Sequence, residues 1–309
     1  MRASICIPAY KRADVLKRAL DSVFEQDFSD FEVIVTDDSP DDSVENLVRS
    51  YPEGSIHYFR NQKRLGSSEN WNEGIRKAQG EYIKILHHDD WFASPQSLRL
   101  FVGMLDENPD VNIAFSGSCD IHPNDIKPHV MNERMRARIA AEPEYLFHGN
   151  KIGAPDVCIF RNKRNLFFDS GLVWLVDVDF YIRMLKQNPV FGYTEEILIN
   201  IGISSEQITQ SCLADSVLQI KETFYLYHKL NPDKKRYSYR KTILRLLGRS
   251  KIFNTNDLRK ILPDDKTKLS AIDGFWARYF YSKKQIRSFL AQLCGSILHA
   301  RVRPYHTGV

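Results

Sequence analysis

The apolar positions of the first two hundred residues fall into blocks whose period switches between strand and helix. Residues 3–9, ASICIPA, form a short apolar run that ends at Pro8-Ala9. Residues 15–24 carry Val15, Leu16, Ala19, Leu20, Val23 and Phe24 as one stripe at helical spacing. FEVIVTDD (31–38) is β-branched and then abruptly acidic, IHYFR (56–60) is another strand, and YIKILHHDD (82–90) a fourth. Helices are expected over 42–50, 67–79 and 95–107, the last opened by Ser94 as cap and Pro95 in the first turn. VNIAFSG (111–117) reads as a fifth strand. Strands and helices that alternate with short connections predict an α/β fold, a mostly parallel sheet with helices on both faces. Ligands of such sheets bind at the carboxyl ends of the strands. Three of these ends, Pro8-Ala9-Tyr10, Asp37-Asp38 and His87-His88-Asp89-Asp90, are therefore expected to converge on one crevice.

The rhythm fails over 118–155, which holds Pro123, Pro128, Pro143 and Pro155 and a basic stretch, RMRAR. A long loop beside the crevice is expected there. DVCIFR (156–161) then reads as a strand, WLVDVDFYIRMLK (174–186) as a helix with two acids at its start, 188–202 as strand-like, and the chain from about 212 as helical and basic. The division expected is 1–210, with halves 1–117 and 118–210, followed by a helical region over 211–309.

Composition narrows the class. A chain of 309 residues with 43% hydrophobic and 27% charged residues suits a soluble globular protein. No apolar run reaches the length of a membrane span, and MRASICIPAY reads as a first strand, not a signal peptide. Five scattered cysteines without a CxxC pair suit free thiols in a reducing cytoplasm. The net charge of +4 hides a division: residues 221–309 carry 20 Lys and Arg against 6 Asp and Glu, a balance of +14, which leaves −10 on the first 220. Such asymmetry suggests a basic tail beside an anionic surface, or a solvated lysine-rich face. The tail has no nucleic-acid recognition motif, so no nucleic-acid partner is expected.

No GxGxxG follows the first strand and no GxxxxGK[ST] occurs, which argues against a dinucleotide fold and a P-loop. Zinc fits HHDD poorly, because neighbouring strand residues such as His87 and His88 point to opposite faces. Asp89 and Asp90 are better suited to hold Mg²⁺ or Mn²⁺ against a diphosphate, with Asp90 as a helix cap the alternative. Likewise Asp37-Asp38-Ser39-Pro40 is open to reading as a polar turn, and Asp177 and Asp179 as charges favoured at a helix N-terminus. An i,i+4 pair of Asp179 with Arg183 is expected. Trp71 and Trp91 could stack on a sugar but suit packing better.

Taken in order, ASICIPAYKRADVLKRALDSVFEQDFSDFEVIVTDDSPDD and NQKRLGSSENWNEGIRKAQGEYIKILHHDDW resemble the nucleotide-binding half of a family 2 glycosyltransferase of the GT-A fold. The likeness runs from residue 3 to about 117 and resumes at WLVDVDFYIRML. It implies a GT-A domain over 1–210 that uses a UDP- or dTDP-type sugar and a saccharide or lipid-linked acceptor. Pro8, Ala9 and Tyr10 would line the base and ribose pocket, and Asp38 with Asp37 would bond the base. Asn61, Arg64, Gly66, Asn70, His88 and Asp89 would approach the nucleotide. Asp89 with Asp90 would hold Mn²⁺ or Mg²⁺, weakened because His87 replaces the first acid of the family's motif. Asp177 would be the general base of an inverting transfer, and Asp179, Trp71 and Trp91 would stand near the sugars. Val176 and Ser204 depart from the family pattern, so the alternative is a weak or inactive module that binds a nucleotide or a protein. Relatives that build surface polysaccharides suggest a cytoplasmic enzyme on the inner membrane face. Phe289, Leu290, Leu293, Ile297 and Leu298, flanked by Lys283, Lys284, Arg287, Arg301 and Arg303, would meet anionic lipid through 283–303, or pack as core or a homodimer contact.

Overall fold

In the computed structural model of the chain the described residues are 1–204, 207–231 and 236–300, without the side chains of 208, 236, 284 and 287–300. They divide into two compact units, Met1–Cys212 and a second that begins at Leu213.

The first unit is built on nine strands: β1 (Ala3–Ala9), β2 (Phe31–Asp37), β3 (His57–Arg60), β4 (Tyr82–Ile85), β5 (Trp91–Phe92), β6 (Ile113–His122), β7 (Asp125–His129), β8 (Cys158–Arg161) and β9 (Gly192–Gly202). They form one sheet in the order β3-β2-β1-β4-β8-β6-β9-β5, with β7 paired to β6. The stretch β3-β2-β1-β4 is parallel, as the alternation predicts. Beyond it the sheet is mixed: β8 runs antiparallel to both β4 and β6, and β6 is parallel to β9.

Six helices belong to this unit: α1 (Ala13–Phe24), α2 (Ser43–Val48), α3 (Ser67–Lys77), α4 (Ser97–Asp106), α5 (Glu133–Ala141) and α6 (Val176–Gln187). Every residue of β1 is buried, because both faces of the sheet are covered. Ala3, Ile5, Ile7 and Ala9 share a core with Leu16, Leu20 and Val23 of α1 and Phe101 and Leu105 of α4. Cys6 faces the other way, onto Gly74 of α3.

The long loop expected over 118–155 is largely built. β6 continues to His122, β7 folds back on it, and α5 and a 3-10 turn over Pro143–His148 follow. The prolines misled, because each stands where a missing N–H costs little. Pro128 lies on β7, which pairs only with β6 among the described strands, and Pro143 and Pro155 open 3-10 turns. β4 also stops at Ile85, not Asp90, and α4 starts at Ser97 behind Gln96, not at Ser94-Pro95.

The helix α7 (Ile208–Ala214) straddles the boundary between units. The second unit continues with α8 (Ser216–Leu230), α9 (Arg236–Arg249), α10 (Thr255–Ile261) and α11 (Ala271–Ala300).

Candidate active site

Strand register brings the three unusual strand ends together. Ala9 pairs with Asp37 on β2, and Cys6 pairs with Ile85, the last residue of β4. The residues after all three strands therefore emerge along one edge of the sheet. The Leu86 N–H still reaches the Cys6 carbonyl, after which His87–Asp90 close a turn through Asp90 N–H and the His87 carbonyl.

A cavity of about 260 Å³ opens at the ends of β1 and β2, lined by Tyr10, Asp38, Asn61, Lys63 and Arg64 among others. The Arg64 guanidinium lies 4.4 Å from the centre of the Tyr10 ring. The chain leaves β1 through Lys11 and Arg12, both with positive φ, a costly geometry for residues with a Cβ. Asp38, expected to bond the base, spends its carboxylate elsewhere. It accepts from Asn61 Nδ2 at 2.7 Å, from Leu65 N–H at 3.0 Å and from Gly66 N–H at 2.8 Å. Asp37 is occupied too, by Ser39 N–H at 2.8 Å and the Tyr58 hydroxyl at 2.7 Å. Leu65 and Gly66 stand just before α3, so Asp38 ties the loop that leads into that helix to the end of β2. Gly66, at φ 85°, caps that helix in a conformation favourable to glycine. Asn70 is buried and ties Ala9 to Thr36 through their carbonyls. Pro8 and Ala9 are buried wall, and of the expected nucleotide residues Tyr10, Asp38, Asn61 and Arg64 line the cavity.

The turn after β4 separates its two aspartates. Asp90 is buried and accepts the Gly202 N–H from β9 at 2.9 Å, and it caps no helix. The Asp89 carboxylate makes no hydrogen bond or ion pair with any described residue, and only its carbonyl is taken, by Arg18 at 2.9 Å. His88 lies against the Pro8 carbonyl, where burial lowers its pKa. A Cβ on Gly202 would overlap the Asp89 carbonyl, so β9 passes this turn at the closest approach a backbone allows.

Behind the turn lies a group the sequence reading missed. Asp156, fully buried in the 3-10 turn Pro155–Val157, accepts His87 N–H at 2.5 Å and stands 2.5 Å from His87 Nδ1. Lys84 is fully buried as well and donates to the carbonyls of Ile85 and Asp156. Burial pushes Lys84 down to about 8. Burial also pulls His87 down, but Asp156 and Asp90 outweigh it and hold the imidazole well above its ordinary pKa. Burial and the Asp156 charge push Asp90 well up. His87, Asp90 and Asp156 offer ligand atoms within 4.8 Å of one another, a spacing that could hold a cation. A hard divalent ion prefers oxygen donors, and this group offers two carboxylates beside an imidazole whose buried Nε2 has no hydrogen-bond partner among the described residues. Asp89 is the less buried of the two carboxylates at this turn.

Asp177 opens α6. Its Oδ2 accepts from Asn150 Nδ2 at 2.7 Å and its Oδ1 from Val178 N–H at 2.7 Å. Burial pushes its pKa up to about 6. Asn150 is itself fixed, since its Oδ1 accepts from Ile152 and Gly153 N–H and its Nδ2 also donates to Gly153 O. Asp179 is 1% exposed and pairs with Arg183 at 2.8 Å, the i,i+4 pair expected from the sequence. The tryptophans pack: Trp71 lies 4.7 Å from the His87 ring and 5.0 Å from Phe168, and the Arg18 guanidinium covers Trp91 at 3.6 Å.

The chain matches the description "Glycosyl transferase family 2" over residues 4–168, more than half its length. It belongs to glycosyl transferase family 2. An uncharacterized glycosyltransferase of Rickettsia typhi is 27% identical over 219 residues, covering 68% of this chain and 66% of the relative. The chain thus spans about two thirds of the length of the relatives it matches at that range. A shorter match, 35% over 92 residues and 29% of this chain, is to the GalNAc(5)-diNAcBac-PP-undecaprenol beta-1,3-glucosyltransferase of Campylobacter jejuni, of which it covers 30%. Among solved structures, S. aureus TarS 1–349 in complex with UDP-GlcNAc superposes with a TM-score of 0.60 at 17% identity, over 87% of this chain and 77% of TarS. The mannosyltransferase PcManGT of Pyrobaculum calidifontis, in complex with GDP-Man and Mn²⁺, gives 0.56 at 17% identity, over 98% of this chain and 81% of PcManGT. Both likenesses establish the GT-A fold for this family 2 member.

Proposed function

We propose that this family 2 glycosyltransferase moves a sugar from a nucleotide-diphosphate donor, of the UDP or dTDP type, to a hydroxyl of a saccharide or lipid-linked acceptor with inversion. The observation that carries the reading is the Asp177 carboxylate, held by two donors at the start of α6. Asp177 takes the proton of the acceptor hydroxyl. The acceptor oxygen bonds to the anomeric carbon as the bond from that carbon to the diphosphate breaks, and the electron pair leaves with the diphosphate. One displacement inverts the centre. Tyr10, Asn61 and Arg64 bind the nucleotide, while Asp38 holds the loop that carries Asn61 and Arg64. A Mn²⁺ or Mg²⁺ ion would be held by Asp89, and when bound it neutralises charge on the leaving group. TarS with UDP-GlcNAc supports a pyrimidine donor, and the C. jejuni relative, named for an undecaprenol-linked substrate, supports a lipid-linked acceptor. Such an acceptor suits a cytoplasmic enzyme at the inner membrane face. No described helix is long and apolar enough to cross a membrane.

Asp177→Asn is expected to lower transfer by ~10²–10⁴ while donor binding survives. Transfer within a few-fold of wild type would end the general-base assignment, and a wild type that binds donor but transfers nothing would favour the reading as a binding module. Asp89→Ala is expected to weaken nucleotide-diphosphate binding in Mn²⁺ far more than in EDTA. Calorimetric titration checks this, and equal affinities of mutant and wild type in Mn²⁺ would remove Asp89 as the ligand.

A further inference from the structure

Helix α11 has a face that sugar transfer does not use. Its packed side holds Asp273, Gly274 and Ala277, all buried. Asp273 pairs with Arg240 of α9, and a Cβ on Gly248 of α9 would overlap the Ala277 carbonyl. On the far side Ile272, Phe275, Trp276, Tyr279 and Ile286 are 68, 63, 42, 43 and 59% exposed. At ~100° per residue these five and Lys283 fall within an arc of roughly 100°, about opposite Ala277. The rings already touch: Phe275 lies 5.8 Å and Tyr279 5.5 Å from Trp276, and Lys283 Nζ stands 5.7 Å from the Tyr279 ring.

An exposed aromatic stripe of this kind marks an interaction surface. The charge around it chooses the partner. Residues 221–309 carry the balance of +14, so a symmetric contact with a second copy would set basic surface against basic surface. An anionic surface is complementary. Aromatic rings on one side of a helix, with lysine among them, suit the headgroup layer of a bilayer, where rings sit at the interface and lysine reaches phosphate.

We propose that α11 docks on an anionic lipid bilayer with its axis in the membrane plane, Phe275, Trp276 and Tyr279 at headgroup depth and Lys283 among the lipid phosphates. This surface begins three turns before the 283–303 segment singled out in the sequence. The side chains of Phe289, Leu290, Leu293, Ile297, Leu298, Lys284, Arg287, Arg301 and Arg303 lie outside the described residues. The docking deepens the proposed function, since it would bring the enzyme to a lipid-linked acceptor, but vesicle binding itself requires no transfer.

The test is flotation of the full chain with vesicles of phosphatidylcholine, alone or mixed with phosphatidylglycerol, at low and high salt. The expected result is flotation with the anionic vesicles at low salt, release by high salt, and roughly tenfold or weaker partition for Phe275→Ser/Trp276→Ser. Both positions are exposed, and an unchanged helical circular-dichroism signal and thermal transition verify that the variant is folded. Fluorescence adds a local readout: anionic vesicles should shift the emission to the blue, and Trp276→Phe, which leaves three tryptophans, should abolish the shift. The proposal is overturned if the wild type stays in the soluble fraction with anionic vesicles at low salt, or if the double variant floats as well as wild type. It is equally overturned if the double substitution only splits a solution dimer that never bound vesicles. A protein that floats yet transfers no sugar keeps the docking and loses the proposed function, so the two fail separately.

Discussion

Asp177 can serve as a base only while ionised, and two donors govern how easily it ionises. Burial raises its pKa to about 6, and the hydrogen bonds from Val178 N–H and Asn150 oppose that rise. For a base the sign is simple: the rate should be full above this pKa and fall as pH drops through about 6. A hydrogen bond to a charged group is worth ~1.5–3 kcal/mol, about one or two pKa units. Asn150→Ala is therefore expected to move the acid limb of kcat up by about one unit and to lower kcat at neutral pH, with little change in donor KM. A pH–rate profile checks it, and an acid limb that stays where wild type has it would show that Asn150 does not act through the base. Asp38 is the contrasting residue. Its carboxylate is as buried as a catalytic one, but the donors around it belong to the loop between β3 and α3.

The turn after β4 depends on elements far apart in the chain. β9 supplies the Gly202 N–H to Asp90, the 3-10 turn Pro155–Val157 supplies Asp156 to His87, and β4 supplies Lys84. The result is a buried charge cluster that holds Asp89 toward solvent. Removing one member of such a cluster strands the others in a medium that solvates them poorly. Asp156→Ala should cost about 3–5 kcal/mol of stability, more than Asp156→Asn, which keeps an acceptor for the His87 N–H. Urea unfolding at neutral pH measures both, and a loss below about 1 kcal/mol for the alanine variant would mean that the cluster contributes little. The same dependence makes Gly202 a position where alanine must shift the turn itself.

Across the whole molecule, charge is sorted against local need. The first 220 residues carry a balance of −10, yet Arg60, Lys63 and Arg64 line the cavity at the ends of β1 and β2. A diphosphate responds to that local field and not to the average. The positive balance lies instead in the unit that bears the exposed stripe of α11. If the proposals hold, the two units meet different kinds of anionic partner: a small nucleotide in a cavity for the first, and an extended surface for the helix α11 of the second.

What the sequence determined by itself was the parallel half of the sheet and the meeting of its strand ends. Periodicity is a local property, so the alternation of strands and helices through 1–117 could be read directly. Parallel crossovers then oblige the ends of β1, β2 and β4 to meet at one edge, and the motifs at these ends carried the family. The same reading placed Asp177 at the start of a helix and paired Asp179 with Arg183. Tertiary structure alone decided which acceptor each donor meets. Nothing in APD or HGN singles out Asp156 or Asn150; each matters because the chain returns, after roughly 30 to 70 residues, to lie against Asp177 or His87. The division of labour between Asp89 and Asp90 was hidden for the same reason. Adjacent in sequence and identical in chemistry, they differ because β9 offers one of them a backbone N–H and leaves the other to solvent.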